Sequence, residues 1–402
     1  MTKITSQQRL IFILMLGLAM CLQPFSIDPY LASYPAITKD FDVTAALIQY
    51  SMTGVTMGFA LGQILAGTLS DAYGRRRPML VALALYAIGA SAMLVAPNIQ
   101  AFIGFRLIMA MGASAAGVLG AAIVRDLYQG MPMMKMLSRV YLVQGLSPIL
   151  GPLIGAQLST MVNWRTIFAI FAGFGLVVMI LALVFLRETL HVDARKTQVL
   201  RSMVGRFGAV LKDRIYVGLL LFSVLQTIAL FAYLNVVPFL FRGRFELDQA
   251  QFGLFFATNS ALSVIGVQLG AKLAQKIAAQ WVLVGAISSS AVACAGLIVL
   301  GALDAPFWAV DLCFAVWVLG FGTTITPLQT IALTPHGSEA GTAASLMGVA
   351  NFAITSLVSP VFTLLPLTTS LPVGVVMFLA YALSLASLMF IVRPRQVPKL
   401  SQ

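Results

Sequence analysis

The run Gly54-Val-Thr-Met-Gly58-Phe-Ala-Leu-Gly62-Gln-Ile-Leu-Ala-Gly67-Thr-Leu-Ser-Asp71-Ala-Tyr-Gly74-Arg75-Arg76-Arg77-Pro78 decides how this chain folds. Nothing between Ala45 and Ser70 carries a charge, and about 20 mostly apolar residues in helix are enough to cross the hydrocarbon of a bilayer. Immediately afterwards come an acid, a glycine, three arginines and a proline. That is a membrane span ending in a short, strongly basic turn. Gly54, Gly58 and Gly62 fall every fourth residue, hence on one helix face, where small side chains let a neighbouring backbone approach.

The same pattern recurs along the chain. Of its 402 residues, 60% are hydrophobic and only 9% charged, against about 25% charged in a soluble domain. Apolar runs predict spans near 10–36, 45–69, 78–96, 100–124, 136–160, 166–186, 215–240, 251–273, 280–303, 306–331, 341–364 and 370–392. Continuous Leu, Ala, Gly and Phe runs are not the short alternating strands of a membrane barrel. The expected class is therefore an all-α membrane protein with twelve transmembrane helices.

Charge gives the orientation. With the N-terminus in the cytoplasm, 20 of the 25 basic residues fall on the cytoplasmic side, whereas Lys39, Arg165, Arg242 and Arg244 fall outside and Arg106 lies within a span. This is the positive-inside pattern. It accounts for most of the net charge of +12 and argues against nucleic acid as a partner. Both termini are expected in the cytoplasm, in a bacterial inner membrane. The three cysteines, Cys21, Cys294 and Cys313, sit scattered in apolar runs and form no disulfide or zinc pattern. The N-terminal apolar stretch is too long for a signal peptide and lacks a small-x-small cleavage site.

Residues 187–214 form the longest polar break. Val199, Leu200, Met203, Val204, Phe207, Val210 and Leu211 recur there at helical spacing among Arg201, Arg206 and Lys212, which predicts a basic amphipathic helix on the cytoplasmic surface. The domains expected are 1–186, a six-helix bundle, 187–214, a linker, and 215–402, a second six-helix bundle. Two six-span halves suggest a repeat transporter with its substrate site between them.

The turn Gly67-x-Leu-x-Asp71-x-x-Gly74-Arg75-Arg76 can tie helix ends together through ion pairs, and Asp126, beside Arg125 at the cytoplasmic end of the fourth span, is a natural partner. This motif resembles the signature loop of the major facilitator superfamily. Gly145-Leu-Ser-Pro148-Ile-Leu-Gly151-Pro152-Leu-Ile-Gly155 in the fifth span is similar to that family's antiporter motif. Asp28-Pro29-Tyr30-Leu31 resembles the first span of the Bcr/CflA multidrug exporters, as do Arg125-Asp126-Leu-Tyr128, Asn163-Trp164-Arg165, Arg187-Glu-Thr-Leu190 and Ala340-Gly-Thr-Ala-Ala-Ser345. Pro29 and Ala32 depart from that family, which has Met and Pro there, so the bend of span 1 is expected to differ. The resemblance implies two six-helix halves in a monomer. It further implies proton-coupled export of chloramphenicol-like drugs with no bound cofactor, and gating by Gly67, Asp71, Gly74, Arg75, Arg125, Asp126, Pro148, Gly151, Pro152 and Gly155.

The residues alone point to an embedded charge. Asp28 and Arg106 fall at comparable depth in spans 1 and 4, and an ionisable side chain inside a span is a functional candidate by default. A salt bridge between them would offset the cost of burying both, and its alternative reading is purely structural. A carboxylate balanced between burial and a nearby cation can exchange a proton for substrate. Gln23, Tyr30, Gln226, Tyr233, Asn235, Asn259 and Gln329, together with Asp28 and Arg106, are candidates to line a substrate cavity, each with an alternative as hydrogen-bond glue between helices. Asp311 is the next candidate for the proton, with an interfacial role near the outer start of the tenth span as its alternative. No nucleotide loop, no catalytic constellation around His191 or His336, and no channel filter is visible, so an enzyme is not expected. A dedicated exporter of one metabolite, such as a siderophore, amino acid or sugar, is the rival function.

Overall fold

A computed structural model describes residues 6–31, 33–128, 136, 140, 143, 147–190, 205, 207–365 and 369–397. The chain separates into two compact units, Met1–Ser202 and Met203–Gln402. The boundary falls inside the expected linker; of its expected amphipathic helix the first part lies outside the described residues, and residues 207–210 are helical with Val210 buried.

In the first unit the helices are α1 (Ser6–Phe25), α2 (Asp28–Leu31), α3 (Tyr34–Asp40), α4 (Ala45–Tyr73), α5 (Arg76–Ala92), α6 (Ile99–Leu127), α7 (Ser147–Met161) and α8 (Trp164–Phe185). In the second they are α9 (Arg214–Phe239), α10 (Gln249–Leu273), α11 (Ala279–Ala302), α12 (Phe307–Leu333), α13 (Ala340–Phe362) and α14 (Leu371–Ala386). Among the described residues 11 helices are long and apolar enough to cross a membrane. Five of these lie in the first unit and six in the second; α7, whose expected span over 136–160 is described only in part before Ser147, completes six in the first. Local chemistry sets several starts. Asn98, Asn163 and Asp213 each accept a hydrogen bond from a backbone N–H in the first turn of α6, α8 and α9. Asp248 and Gln251 cap α10 reciprocally.

Span 1 is not the single helix expected over 10–36. It breaks after Phe25 and resumes as the short α2 and then α3. Prolines explain this: Pro24 and Pro29 remove backbone donors, and Pro35 starts α3.

Glycines set the helix spacing. A Cβ on Gly58 or Gly62 of α4 would run into the carbonyl oxygens of Leu107 and Met111 on α6. The second unit repeats the device, with Gly266 and Gly270 of α10 set against the carbonyl oxygens of Leu319 and Thr323 on α12. The outward side chains are apolar as well: Leu357 is 80% exposed and Phe390 77%, as helices facing lipid require.

Candidate functional site

The break between α1 and α2 builds the embedded charge. Pro29 has no N–H to give to the turn before it, and Arg106, on α6, supplies a donor instead: its Nη1 donates to the Ser26 carbonyl at 2.9 Å. The guanidinium lies 3.9 Å over the Tyr30 ring and 5.9 Å from that of Phe168. Tyr30 is held in turn by a 2.9 Å hydrogen bond shared with Ser51 and by its packing against Tyr34, Phe102 and Phe168. Arg106 is 1% exposed. A desolvated cation–π contact contributes about 2 kcal/mol and a hydrogen bond to a charged group about 1.5–3 kcal/mol. Together these offset much of the few kcal/mol that an arginine inside a membrane span costs. Two donors remain: Nε and Nη2 of Arg106 have no hydrogen-bond partner among the described residues.

The expected Asp28–Arg106 salt bridge is not formed. Residues two apart in a helical turn point about 200° apart, so when Tyr30 faces α6 and Arg106, Asp28 faces the other way. It turns to α7, where a Cβ on Gly151 would sit 2.9 Å from the Asp28 Cβ, and one on Gly155 would collide with the backbone of Pro29. The glycines of the antiporter-like motif are therefore the surface on which the Asp28–Pro29 corner rests. Tyr30 is fully buried. It does not line an open cavity in this conformation, and neither does Arg106, because the aromatic wrap closes both in. Gln23 is half-buried and turns its Oε1 toward Gly117 of α6.

The candidates of the second unit mostly bond within it. Gln226 Oε1 accepts from Thr324 Oγ1 at 2.9 Å. Asn235 Nδ2 donates to the Phe231 carbonyl, one turn back, at 2.8 Å. Asn259 Nδ2 donates to the Phe255 carbonyl at 3.1 Å and to Asp311 Oδ1 at 3.4 Å. The Tyr233 ring packs among Phe256, Phe314 and Trp317. Gln329 is exposed on α12.

The signature loop is a latch around Arg75. Its Nη1 donates to Ser70 Oγ at 2.7 Å and Asp71 Oδ1 at 2.8 Å, while Nε donates to Asp126 Oδ2 at 2.8 Å. Burial alone would lower the Arg75 pKa, but Asp126 and then Asp71 more than reverse this and hold it above the usual arginine value. Gly74 turns the chain with φ 87°, a left-handed conformation that suits glycine. Gly67 has open space where a Cβ would stand, so it is not required for close approach. The side chains of Arg125, Pro148 and Pro152 lie outside the described residues.

Sequence reasoning passed over Glu188 as a site residue. It accepts backbone hydrogen bonds from Arg75 at 2.7 Å, Arg76 at 3.4 Å, Thr189 at 3.0 Å and Leu190 at 3.1 Å. Thr189 Oγ1 also donates to Asp126 Oδ2 at 3.2 Å. Burial raises the Glu188 pKa, but the four N–H groups outweigh it and the carboxyl lies below its usual range. Its position directly after the sixth apolar run was the available signal, because a carboxylate at a helix end can cap the start of another helix.

The fold and site thus define a polytopic helical membrane protein of two six-helix units, with an arginine buried in a membrane-spanning helix under an aromatic wrap and a polar latch at one helix boundary. The chain belongs to the Major Facilitator Superfamily, whose family model matches residues 16–360. It is 29% identical over 93% of both chains to an uncharacterized transporter of this type from Bacillus subtilis. It is 27% identical to a bicyclomycin resistance protein homolog of Haemophilus influenzae, over 90% of this chain and 91% of that one. It is also 27% identical to a chloramphenicol resistance protein of Pseudomonas aeruginosa, over 91% and 86%. A solved D-xylose-proton symporter shares the fold, with a TM-score of 0.79 at 15% identity over 98% of this chain and 100% of that one. The protein is a multi-pass membrane transporter.

Proposed function

We propose that this chain is a proton-coupled secondary exporter of small amphipathic drugs in a bacterial inner membrane, with both termini cytoplasmic. The observation that carries the reading is the Arg106 box: a buried guanidinium whose Nε and Nη2 have no hydrogen-bond partner among the described residues, covered by Tyr30, two residues after the half-buried carboxylate of Asp28. Relatives named for bicyclomycin, chloramphenicol and multidrug resistance support the substrate class.

The proposed cycle uses Asp28 as the exchange site. Deprotonated Asp28 favours a state in which its charge meets a cation, either Arg106 after α2 turns or a cationic group on the substrate. Once it faces the outside, Asp28 takes a proton, substrate leaves, and the neutral side chain makes the return step easier because it no longer needs a partner. The energy comes from the proton gradient and no bound cofactor is required. The Arg75 latch joins the ends of α4, α5 and α6 in one unit, and its opening and closing is the proposed gate. A monomer suffices for this scheme.

The test is substrate-induced proton release from purified protein, wild type beside Asp28→Asn, against chloramphenicol, a quinolone and a lipophilic cation. Release by several unrelated compounds, lost in the variant, is expected. Full release from folded Asp28→Asn protein would move the proton site elsewhere, with Asp311 next. Silence toward every compound in the wild type would instead favour a dedicated metabolite exporter.

A further inference from the structure

Of the three consecutive arginines that follow α4, two are engaged within the first unit. Arg75 is held by Ser70, Asp71 and Asp126, and Arg76 Nη2 donates to the Leu183 carbonyl on α8 at 3.0 Å. Arg77 is exposed, and its side chain has no hydrogen bond or ion pair among the described residues.

Arg77 stands at one end of a groove of about 260 Å³ in the first unit. The helices α4 and α5 both pack closely on α6 but meet each other far less, so they diverge and leave a furrow with α6 as its floor. The furrow runs from Tyr73 back to Gly62 along α4, from Arg77 to Leu85 along α5, and over Met111 to Leu119 of α6. It ends at Gly62, where α4 lies so close to α6 that a Cβ would meet the Met111 carbonyl oxygen. Among the described residues its lining is apolar except for Arg77 and Tyr73, both at the mouth.

Length, mouth chemistry and charge together say what covers this furrow. From Gly62 to Tyr73 α4 rises about 16 Å, and half of a hydrocarbon core about 30 Å thick is about 15 Å. The furrow is therefore as deep as one leaflet. At its mouth stand an arginine and a tyrosine, the side chains that sit at the level of lipid headgroups. No carboxylate lines it, and Asp71, at the end of α4, is already paired with Arg75. A headgroup on Arg77 finds a partner for its phosphate and none for an ammonium. Basic side chains just outside a span attract anionic lipid.

We propose that this furrow holds one acyl chain of an anionic phospholipid from the surrounding leaflet, with the lipid phosphate on the Arg77 guanidinium and the Tyr73 hydroxyl beside it. Under the orientation that the basic residues predict, this is the cytoplasmic leaflet. Arg77 lies two residues from Arg75, so the bound lipid rests on the turn that carries the latch.

The test places the photoreactive residue benzoylphenylalanine at Val81, which is 56% exposed on the furrow wall. Full-length protein is held in nanodiscs of equal phosphatidylglycerol and phosphatidylethanolamine with the same acyl chains. The same residue at Val177 of α8, 53% exposed, samples lipid away from the furrow. After illumination, mass spectrometry of the adducts gives the lipid ratio at each position. The ratio of phosphatidylglycerol to phosphatidylethanolamine at Val81 should exceed that at Val177 about fivefold, the preference one basic residue confers on an anionic headgroup. Arg77→Gln should abolish the excess. Val81, Val177 and Arg77 are all exposed, so these changes leave the packed interior alone. Equal ratios at the two positions would overturn the proposal, as would an excess that survives Arg77→Gln. So would a cross-link from position 81 to another segment of this chain in place of lipid.

Discussion

Alanine at Gly155 should destabilise the first unit, alanine at Gly151 should do so less, and alanine at Gly173 should not. The structure gives the order. A Cβ on Gly155 would stand 2.7 Å from the Pro29 carbonyl carbon and closer still to two other backbone atoms of that residue, and backbone pinned by a proline cannot step aside. On Gly151 the new carbon would meet the Asp28 Cβ at 2.9 Å and Pro29 Cδ at 3.4 Å, so a shift of roughly half an ångström relieves it. On Gly173 of α8 nothing lies within 4 Å. Forcing an extra methyl into close packing costs about 1–3 kcal/mol, against a gain of up to about 1 kcal/mol for alanine over glycine in a helix. Gly155→Ala should therefore lose up to about 2 kcal/mol net, Gly151→Ala less than that, and Gly173→Ala should gain up to about 1 kcal/mol. In a unit of this size 1 kcal/mol moves the midpoint by about 2–4 °C, so Gly155→Ala should melt several degrees below wild type. The assay is thermal unfolding in one detergent at one scan rate, because such transitions are often irreversible. Equal midpoints for Gly155→Ala and Gly173→Ala would refute the claim that α7 bears on the Asp28 corner.

Other outcomes follow from the latch and the arginine box. Arg75→Ala removes the cation that both Asp71 and Asp126 pair with, leaving Asp126 the Thr189 hydroxyl. Breaking such a pair costs about 3–5 kcal/mol when fully buried, and less is expected here because Asp71 is 36% exposed. Arg75→Lys should recover only part of the loss, since one ammonium cannot span Ser70, Asp71 and Asp126 in the forked geometry, and midpoints of both variants measure it. Glu188 should add an acid-sensitive term. Its folded pKa is lowered, so its contribution is present above the unfolded carboxylate value near 4.3 and fades as pH falls through the folded one. A stability–pH curve for Glu188→Gln should therefore be flatter than wild type below about pH 4.3. Tyr30→Phe keeps the face under Arg106 and loses only the Ser51 hydrogen bond, about 1 kcal/mol. Tyr30→Ala removes the stacking as well and should impair proton-coupled transport much more, as pH-gradient-driven uptake in vesicles will show.

The sequence by itself determined the solvent, the class and the latch. Runs such as Ala45–Ser70 admit only a membrane helix, because in hydrocarbon the backbone must satisfy its own hydrogen bonds. The spacing Asp71–Gly74–Arg75 fixes a tight turn with its ion pair close in sequence, and Asp126 was within reach of reasoning because it ends a span on the same side. Asp28 and Arg106 stood out for a similar reason: a charge in an apolar run is conspicuous whatever it touches. Their relationship was not legible. Depth along a helix is a linear coordinate that counting recovers, but facing is an angle, and two residues of rotation across a proline break separate Asp28 from Tyr30 and from the arginine that Tyr30 covers. Only the tertiary structure set Gly151 and Gly155 beneath Asp28 and Pro29, closed Ser51, Phe102 and Phe168 around Tyr30, and brought Glu188 across to Arg75 from 113 residues away. Those contacts depend on how whole helices rotate and pack, a cooperative choice that no single stretch of the chain encodes.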